Sequence, residues 1–297
     1  EPYRRQRQMC IRDSDNARRY PILTIACGPT NSIRGASYLT CRDDAIVIDV
    51  GGTTSDFGVL SHGFPRESGV AVDIGGVRTN FRMPDVISIG LGGGSIVREH
   101  DDGTVTVGPD SVGYQITEKA LCFGGDVVTA TDIADRLGKA NVGDPSLTAS
   151  ISQEVADKAY AAMREMVEDA IDSMKISSDP IDAILVGGGA VLLPHDLAGT
   201  KSVACPEFAG CANAIGSAIS KVSGMFEKLV DYEETGREEA LEHARREAIA
   251  AAVRAGADEA TVEIIDSEDV PLAYYPGKTS RIRIKAAGDL RMAQTEK

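Results

Sequence analysis

The stretch Ala45–Leu60, reading Ala-Ile-Val-Ile-Asp-Val-Gly-Gly-Thr-Thr-Ser-Asp-Phe-Gly-Val-Leu, constrains the fold more than any other part of the chain. Ile46, Val47, Ile48 and Val50 form a β-branched run that stops at Gly51-Gly52, and a second strand-like run, Phe57–Leu60, follows at once. Two such runs around a glycine-bearing turn predict a buried hairpin. With Gly52-Thr53 as the turn, counting outward sets Gly51 opposite Thr54, Val50 opposite Ser55 and Asp49 opposite Asp56. Carboxylates directly opposite on a sheet repel, so this pairing calls for a cation. Mg²⁺ carrying a phosphate suits it, because Mg²⁺ takes one or two carboxylates and leaves its other positions to water and phosphate oxygens. Glycine turns also form anion-binding concavities. Asp49 and Asp56 are therefore the candidate catalytic and metal-holding pair, with Gly51, Gly52, Thr53 and Thr54 around the phosphate. The competing reading is an ordinary hairpin with a solvated acidic tip.

This is neither of the common nucleotide loops, since a Walker loop needs Gly-Lys-Ser/Thr before a helix and a dinucleotide fingerprint needs a helix after its glycines. Here a strand follows and no lysine is near. Asp-x-Gly-Gly-Thr-x-x-Asp on a hairpin resembles the phosphate motif of the actin, sugar-kinase and heat-shock-chaperone ATPases.

The formal charge of −14 argues against nucleic acid or an anionic membrane as partner, because both select basic surfaces. The apolar runs are too short to span a bilayer. The six cysteines show no Cys-x-x-Cys pair, which points to reduced thiols and a cytoplasmic protein.

Three regions are expected along the chain. Residues 1–20 carry six arginines and the stretch Met9–Ser14, which looks like translated sequencing adaptor, so they read as a non-native or disordered leader. Residues 21–230 read as an ATPase lobe, and 231–297 as a small α/β appendage with a helix at Arg237–Ala255, a capping Gly256, and strands at Ala260–Ile265 and Arg281–Ala286. Within the lobe a strand is expected at Tyr20–Cys27. Gly28–Ser32 reads as a turn, with Asn31 or Ser32 capping a helix at Ile33–Leu39. Strands flank Gly75-Gly76, read as a structural turn. Gly92, Gly93 and Gly94 follow a strand at Val86–Ile89, and either close approach of a ligand or backbone or a sharp bend explains them. A helix at Asp132–Gly138 is capped by Thr131 or Asp132, unless Asp132 faces the active site. The longest helix runs near Ser152–Met174, with an apolar stripe. Ala183–Val186 reads as a buried strand ending in Gly187, Gly188 and Gly189, where a base or phosphate can lie against backbone. Gly210–Leu229 reads as a helix whose small residues at Ala212–Gly216 suit close packing. His195 reads as a surface residue.

The hairpin, the Gly92–Ser95 loop and the Gly187–Gly189 turn occur in that order, accompanied by Gly28-Pro29-Thr30-Asn31-Ser32, Gly75-Gly76-Val77-Arg78-Thr79-Asn80, Gly108-Pro109-Asp110-Ser111 and Thr129-Ala130-Thr131-Asp132. Together these resemble the A-type subunit of the hydantoinase / 5-oxoprolinase family. The resemblance implies a ribonuclease-H-like α/β fold of the actin/sugar-kinase type. It also implies ATP and Mg²⁺ as cofactors, a cyclic amide substrate opened after phosphorylation of its carbonyl, a B-type partner subunit and a hetero- or homo-oligomer. In those terms Asp49–Asp56 is the second phosphate motif, Gly187–Gly189 the adenosine motif and Asn213–Gly216 the connecting helix. The family's earlier phosphate motif has no counterpart before Tyr20, so the chain is expected to be the C-terminal portion of a longer protein, inactive alone. Ketone carboxylation, a sugar-kinase reaction and a non-enzymatic ATP switch are the rival functions; for the kinase, no aspartate base is identifiable.

Overall fold

β-Branched residues with apolar neighbours on both faces make the centre of the molecule. The computed structural model describes residues 27–68, 72–74, 77–79, 84–272, 275 and 277–291. It contains helix α1 (Cys27–Thr40), strands β1 (Ala45–Val50), β2 (Ser55–Ser61), β3 (Phe64–Pro65), β4 (Val72–Ile74), β5 (Val77–Thr79), β6 (Val86–Ile89), β7 (Ser95–Glu99) and β8 (Val105–Ser111), then helices α2 (Ala130–Arg136) and α3 (Gln153–Met174). Strands β9 (Ile181–Val186) and β10 (Thr200–Ala204) follow, then helix α4 (Ala212–Ala218), strand β11 (Val222–Asp231), helix α5 (Arg237–Arg254) and strands β12 (Glu263–Pro271) and β13 (Thr279–Gly288). These fall into two units, one of Gly28–Ala218 and one from Ile219 onward.

In the first unit the main sheet runs β10-β9-β1-β2-β3, with β6 also beside β2. β1 and β2 are antiparallel, as are β2 and β6, whereas β9 lies parallel to β1 and β10 parallel to β9. This mixed sheet with flanking helices is the ribonuclease-H-like α/β fold of the actin/sugar-kinase type that was expected. Both faces of β1 are covered, which is why it reads as an unbroken apolar run. Ile46, Ile48 and Val50 join Met163, Val167 and Ile171 of α3 in one cluster. Ala45 and Val47 join Ile33 and Ala36 of α1 and Ala212 of α4 in the other. The stripe on α3 is core packing, and Ser152 caps the helix by accepting from Val155 N.

Several expected boundaries shift. α1 begins at Cys27, so Gly28–Ser32 forms its first turns rather than a turn before it. Pro29 is tolerated there because the first helical N–H groups have no partner within the helix. The strand expected at Tyr20–Cys27 lies outside the described residues apart from Cys27. The glycines of the Gly75-Gly76 turn also lie outside them, between β4 and β5. The helix expected over Gly210–Leu229 ends at Ala218, and Val222–Asp231 is a strand. Val222, Phe226 and Val230 recur every fourth residue, a spacing that fits a helical face and also one face of a strand.

The second unit is a sheet of order β11-β13-β12. On it α5 lays Ala240, Ala244, Ala248 and Ala252 against Ile282, Ile284 and Ala286. Gly256 follows α5 with a φ of 101°, the left-handed conformation that ends many helices.

Candidate functional site

The register of the central hairpin is the one counted from the sequence: Asp49 pairs with Asp56 and Val50 with Ser55. Gly51 N donates to Thr54 O at 2.9 Å, closing the turn. Gly52, Thr53 and Thr54 are exposed at its tip. Since β9 is parallel to β1 and sets Val186 beside Asp49, Gly187 emerges next to the aspartate.

The other two glycine runs come together on the hairpin. A side-chain carbon at Gly92 would lie 2.5 Å from Thr53 N and 2.7 Å from Gly52 C. Gly93 N and Gly94 N donate to Gly51 O and Gly52 O at 3.0 and 2.7 Å, and Gly92 N donates to Ser95 Oγ at 2.8 Å. All three N–H groups are thus engaged within the protein, and close backbone approach accounts for at least Gly92. On the other side Gly187, with φ of 87°, would bring a side-chain carbon to 2.3 Å from Asp49 Oδ1, and Gly189 one to 2.6 Å from Val50 Cγ1. Gly189 N donates to Val50 O at 2.8 Å. Gly52 and Gly188 differ from these, since a side-chain carbon at either would meet no other atom within 4 Å. Two backbone positions are therefore open beside a pair of carboxylates.

Sequence reasoning missed two hydroxyls and an amide. Ser32 Oγ, buried in α1, donates to Asp49 Oδ2 at 2.5 Å. Asn213 Nδ2, on α4, donates to Ser32 Oγ at 3.1 Å and to Gly28 O at 2.9 Å. Ser88 Oγ donates to Asp56 Oδ1 at 2.5 Å. Each aspartate thus has one oxygen held by a serine. Burial pushes the Asp49 carboxyl above its usual range, the Ser32 hydrogen bond opposes this, and the Asp56 charge adds to it. Nothing in residue spacing links Ser32 to Asn213, because the two are 181 positions apart.

Asp132 is a structural residue. It is fully buried in a capping box with Thr129, which precedes α2, and also accepts from Cys122 N at 2.7 Å. His195 is exposed. Among the described residues no group of three or more His, Cys, Asp or Glu is arranged to hold a metal ion. The Asp49–Asp56 pair is a two-carboxylate set, which fits Mg²⁺ and not a metal that needs a full protein cage.

The Hydantoinase/oxoprolinase family model matches residues 11–144. The acetophenone carboxylase gamma subunit of Aromatoleum aromaticum is 30% identical over 118 residues, covering 38% of this chain and 16% of that protein. The caprolactamase subunit alpha of Pseudomonas jessenii is 25% identical over 210 residues, covering 61% of this chain and 30% of that protein. Among solved structures, the ATP-dependent caprolactamase of Pseudomonas jessenii superposes with a TM-score of 0.68 at 20% identity, over 90% of this chain and 50% of that one. Nucleotide-free acetone carboxylase gives 0.60 at 18% identity, over 91% and 50%. The chain thus spans half the length of those solved chains and 30% or less of the curated relatives. The matched residues take in the phosphate hairpin and the Gly92–Gly94 loop behind it, so this part of the chain is similar to the hydantoinase/oxoprolinase family.

Proposed function

We propose that this chain supplies one side of a nucleotide site in an ATP-dependent enzyme that opens a cyclic amide of hydantoin or 5-oxoproline type. The observation that carries the reading is the Asp49–Asp56 pair set across a hairpin whose neighbours Gly52 and Gly188 face open space. Gly51, Gly52, Thr53 and Thr54 hold the phosphates, with Gly92, Gly93 and Gly94 shaping the tip from behind. Gly188 lies under the adenosine, between Gly187 and Gly189. Ser32, steadied by Asn213, orients Asp49, and Ser88 orients Asp56. Asp49 and Asp56 would hold Mg²⁺, which offsets the phosphate charge that develops in transfer.

The chemistry follows from what such a site can position. The γ-phosphoryl passes to the amide oxygen and ADP leaves. Water then adds to the activated carbon, the ring C–N bond breaks as the nitrogen takes up a proton and leaves, and a second water cleaves the resulting acyl phosphate to carboxylate and phosphate. Positioning and charge stabilisation supply most of the catalysis in such transfers. Both curated relatives are named as subunits, which supports a B-type partner and an oligomeric assembly. Among the described residues no helix is long and apolar enough to cross a membrane. The five described cysteines are free, which is the state expected in the cytoplasmic location we propose.

A second reading, ATP-dependent ketone carboxylation with phosphate capturing an enolate, is favoured by the carboxylase relative. ADP release by the complete assembly, with hydantoins or 5-oxoproline in one arm and ketones plus bicarbonate in the other, separates the two. Stimulation by the amides alone is the expected result, and stimulation by the ketones alone would reverse the assignment.

Gly188→Val should abolish nucleotide binding while leaving the melting temperature within about 2 °C of wild type, since surface changes away from packed features fall within about 0.5 kcal/mol. Calorimetric titration paired with a thermal melt checks this. A large drop in melting temperature would instead make Gly188 a packing residue.

A further inference from the structure

Phe208 occupies a conformation that the fold itself does not explain. Its φ is 66°, in the left-handed region that bulky residues avoid. The residue is 63% exposed, so burial does not compensate for the strain. The backbone around it is fixed: Ala209 N donates to Pro206 O at 3.1 Å, Cys211 N to Phe208 O at 2.8 Å and Gly187 N to Ala209 O at 3.0 Å. The last of these ties the residue after Phe208 to the first glycine of the turn that follows β9. Phe208 also follows β10 by four residues, and β9 and β10 are parallel, so it stands at the carboxyl ends of neighbouring parallel strands. That is the side of an open α/β sheet on which ligands bind. Strained residues persist where the surroundings over-determine them, and they cluster at ligand sites.

We propose that Phe208 is the purine-stacking residue of this site, presenting its ring face to the base of a nucleotide whose phosphates lie on the Gly51–Thr54 tip. The inference rests on the nucleotide reading above and adds the residue that selects a nucleotide over a bare polyphosphate. An aromatic face recognises a flat base by stacking, needs no hydrogen-bond donor, and is available only if the ring is left exposed. Glycine at 208 would relieve the backbone, so the phenylalanine side chain is there for contact with something outside the fold.

The experiment titrates the 297-residue chain, in Mg²⁺ buffer, with ATP and separately with inorganic tripolyphosphate, for wild type, Phe208→Gly and Phe208→Tyr. Phe208→Gly should raise the melting temperature, weaken ATP about tenfold and leave tripolyphosphate affinity unchanged. Phe208→Tyr should restore ATP binding. Equal ATP affinity in wild type and Phe208→Gly would overturn the proposal and leave the ring as a protein-contact surface. Equal weakening of both ligands would also overturn it, because the segment would then be shaping the phosphate site. Wild-type chain that binds neither ligand would refute the nucleotide reading itself, and this inference with it.

Discussion

Gly216→Ala is expected to lower the melting temperature by roughly 10 °C, corresponding to about 3 kcal/mol, the upper end of the usual cost of overpacking. A side-chain carbon there would sit 1.8 Å from Asn31 O, 2.7 Å from Asn31 C and 2.8 Å from Gly35 N. These are backbone atoms of α1, which cannot rotate aside as a side chain would. The contact is reciprocal, since Gly35 would bring its own side-chain carbon to 1.9 Å from Ala212 O on α4. α1 is also pinned on its other side, where Ile33 and Ala36 pack in the cluster with Ala45 and Val47 of β1. The consequence reaches the site, because Ser32 and Asn213 ride on these two helices and meet over Asp49. Nucleotide affinity should therefore fall even below the melting transition. Thermal unfolding followed by circular dichroism is the check; a change under about 2 °C would mean that the helices separate freely.

Asp49→Asn is expected to move stability and ligand binding in opposite directions. Burial holds the carboxyl above its usual range, opposed by Ser32 and reinforced by Asp56, so the folded state binds this proton more tightly than the unfolded chain does. Its favourable contribution is then fully present below the ordinary carboxylate range and is lost as pH rises through the raised folded value. Once Asp49 is ionised its charge faces the Asp56 carboxyl, and opposed like charges on a sheet cost up to about 1 kcal/mol. The variant should melt a few degrees higher at pH 7. That advantage should disappear in acid, when the wild-type carboxyl is protonated as well. Melting curves across this range give the sign directly, and a lower melting temperature at pH 7 would contradict it. The same substitution removes a full negative charge from the proposed Mg²⁺ pair, so binding of Mg·ATP should weaken at least about tenfold, or 1.4 kcal/mol.

The hairpin was legible because its two apolar runs and the glycine turn leave only one plausible register, and a shift by one residue would turn buried side chains to the other face. The buried strand before Gly187 was legible for a similar reason. The supporting network was not. Ser32 and Asn213 are ordinary small polar residues on helices, and only the crossing of α1 and α4 at Gly35 and Gly216 brings them together. The role of Asp132 was readable in principle, since Thr129-Ala130-Thr131-Asp132 has the Ser/Thr-x-x-Asp/Glu spacing of a capping box. The strand β11 was read as helix because a four-residue spacing satisfies both periods. Phe208 gave no signal at all in one dimension, because what marks it is a backbone angle.

The central claim is that the opposed aspartates make a Mg²⁺-dependent nucleotide site. It is tested most directly by calorimetric titration of Mg·ATP into the wild-type chain and into Asp49→Asn, each repeated with Mg²⁺ removed by a chelator. Wild-type binding that depends on Mg²⁺ and weakens at least about tenfold in the variant is the predicted result. Equal affinity in the two proteins, or wild-type binding indifferent to the chelator, would contradict it.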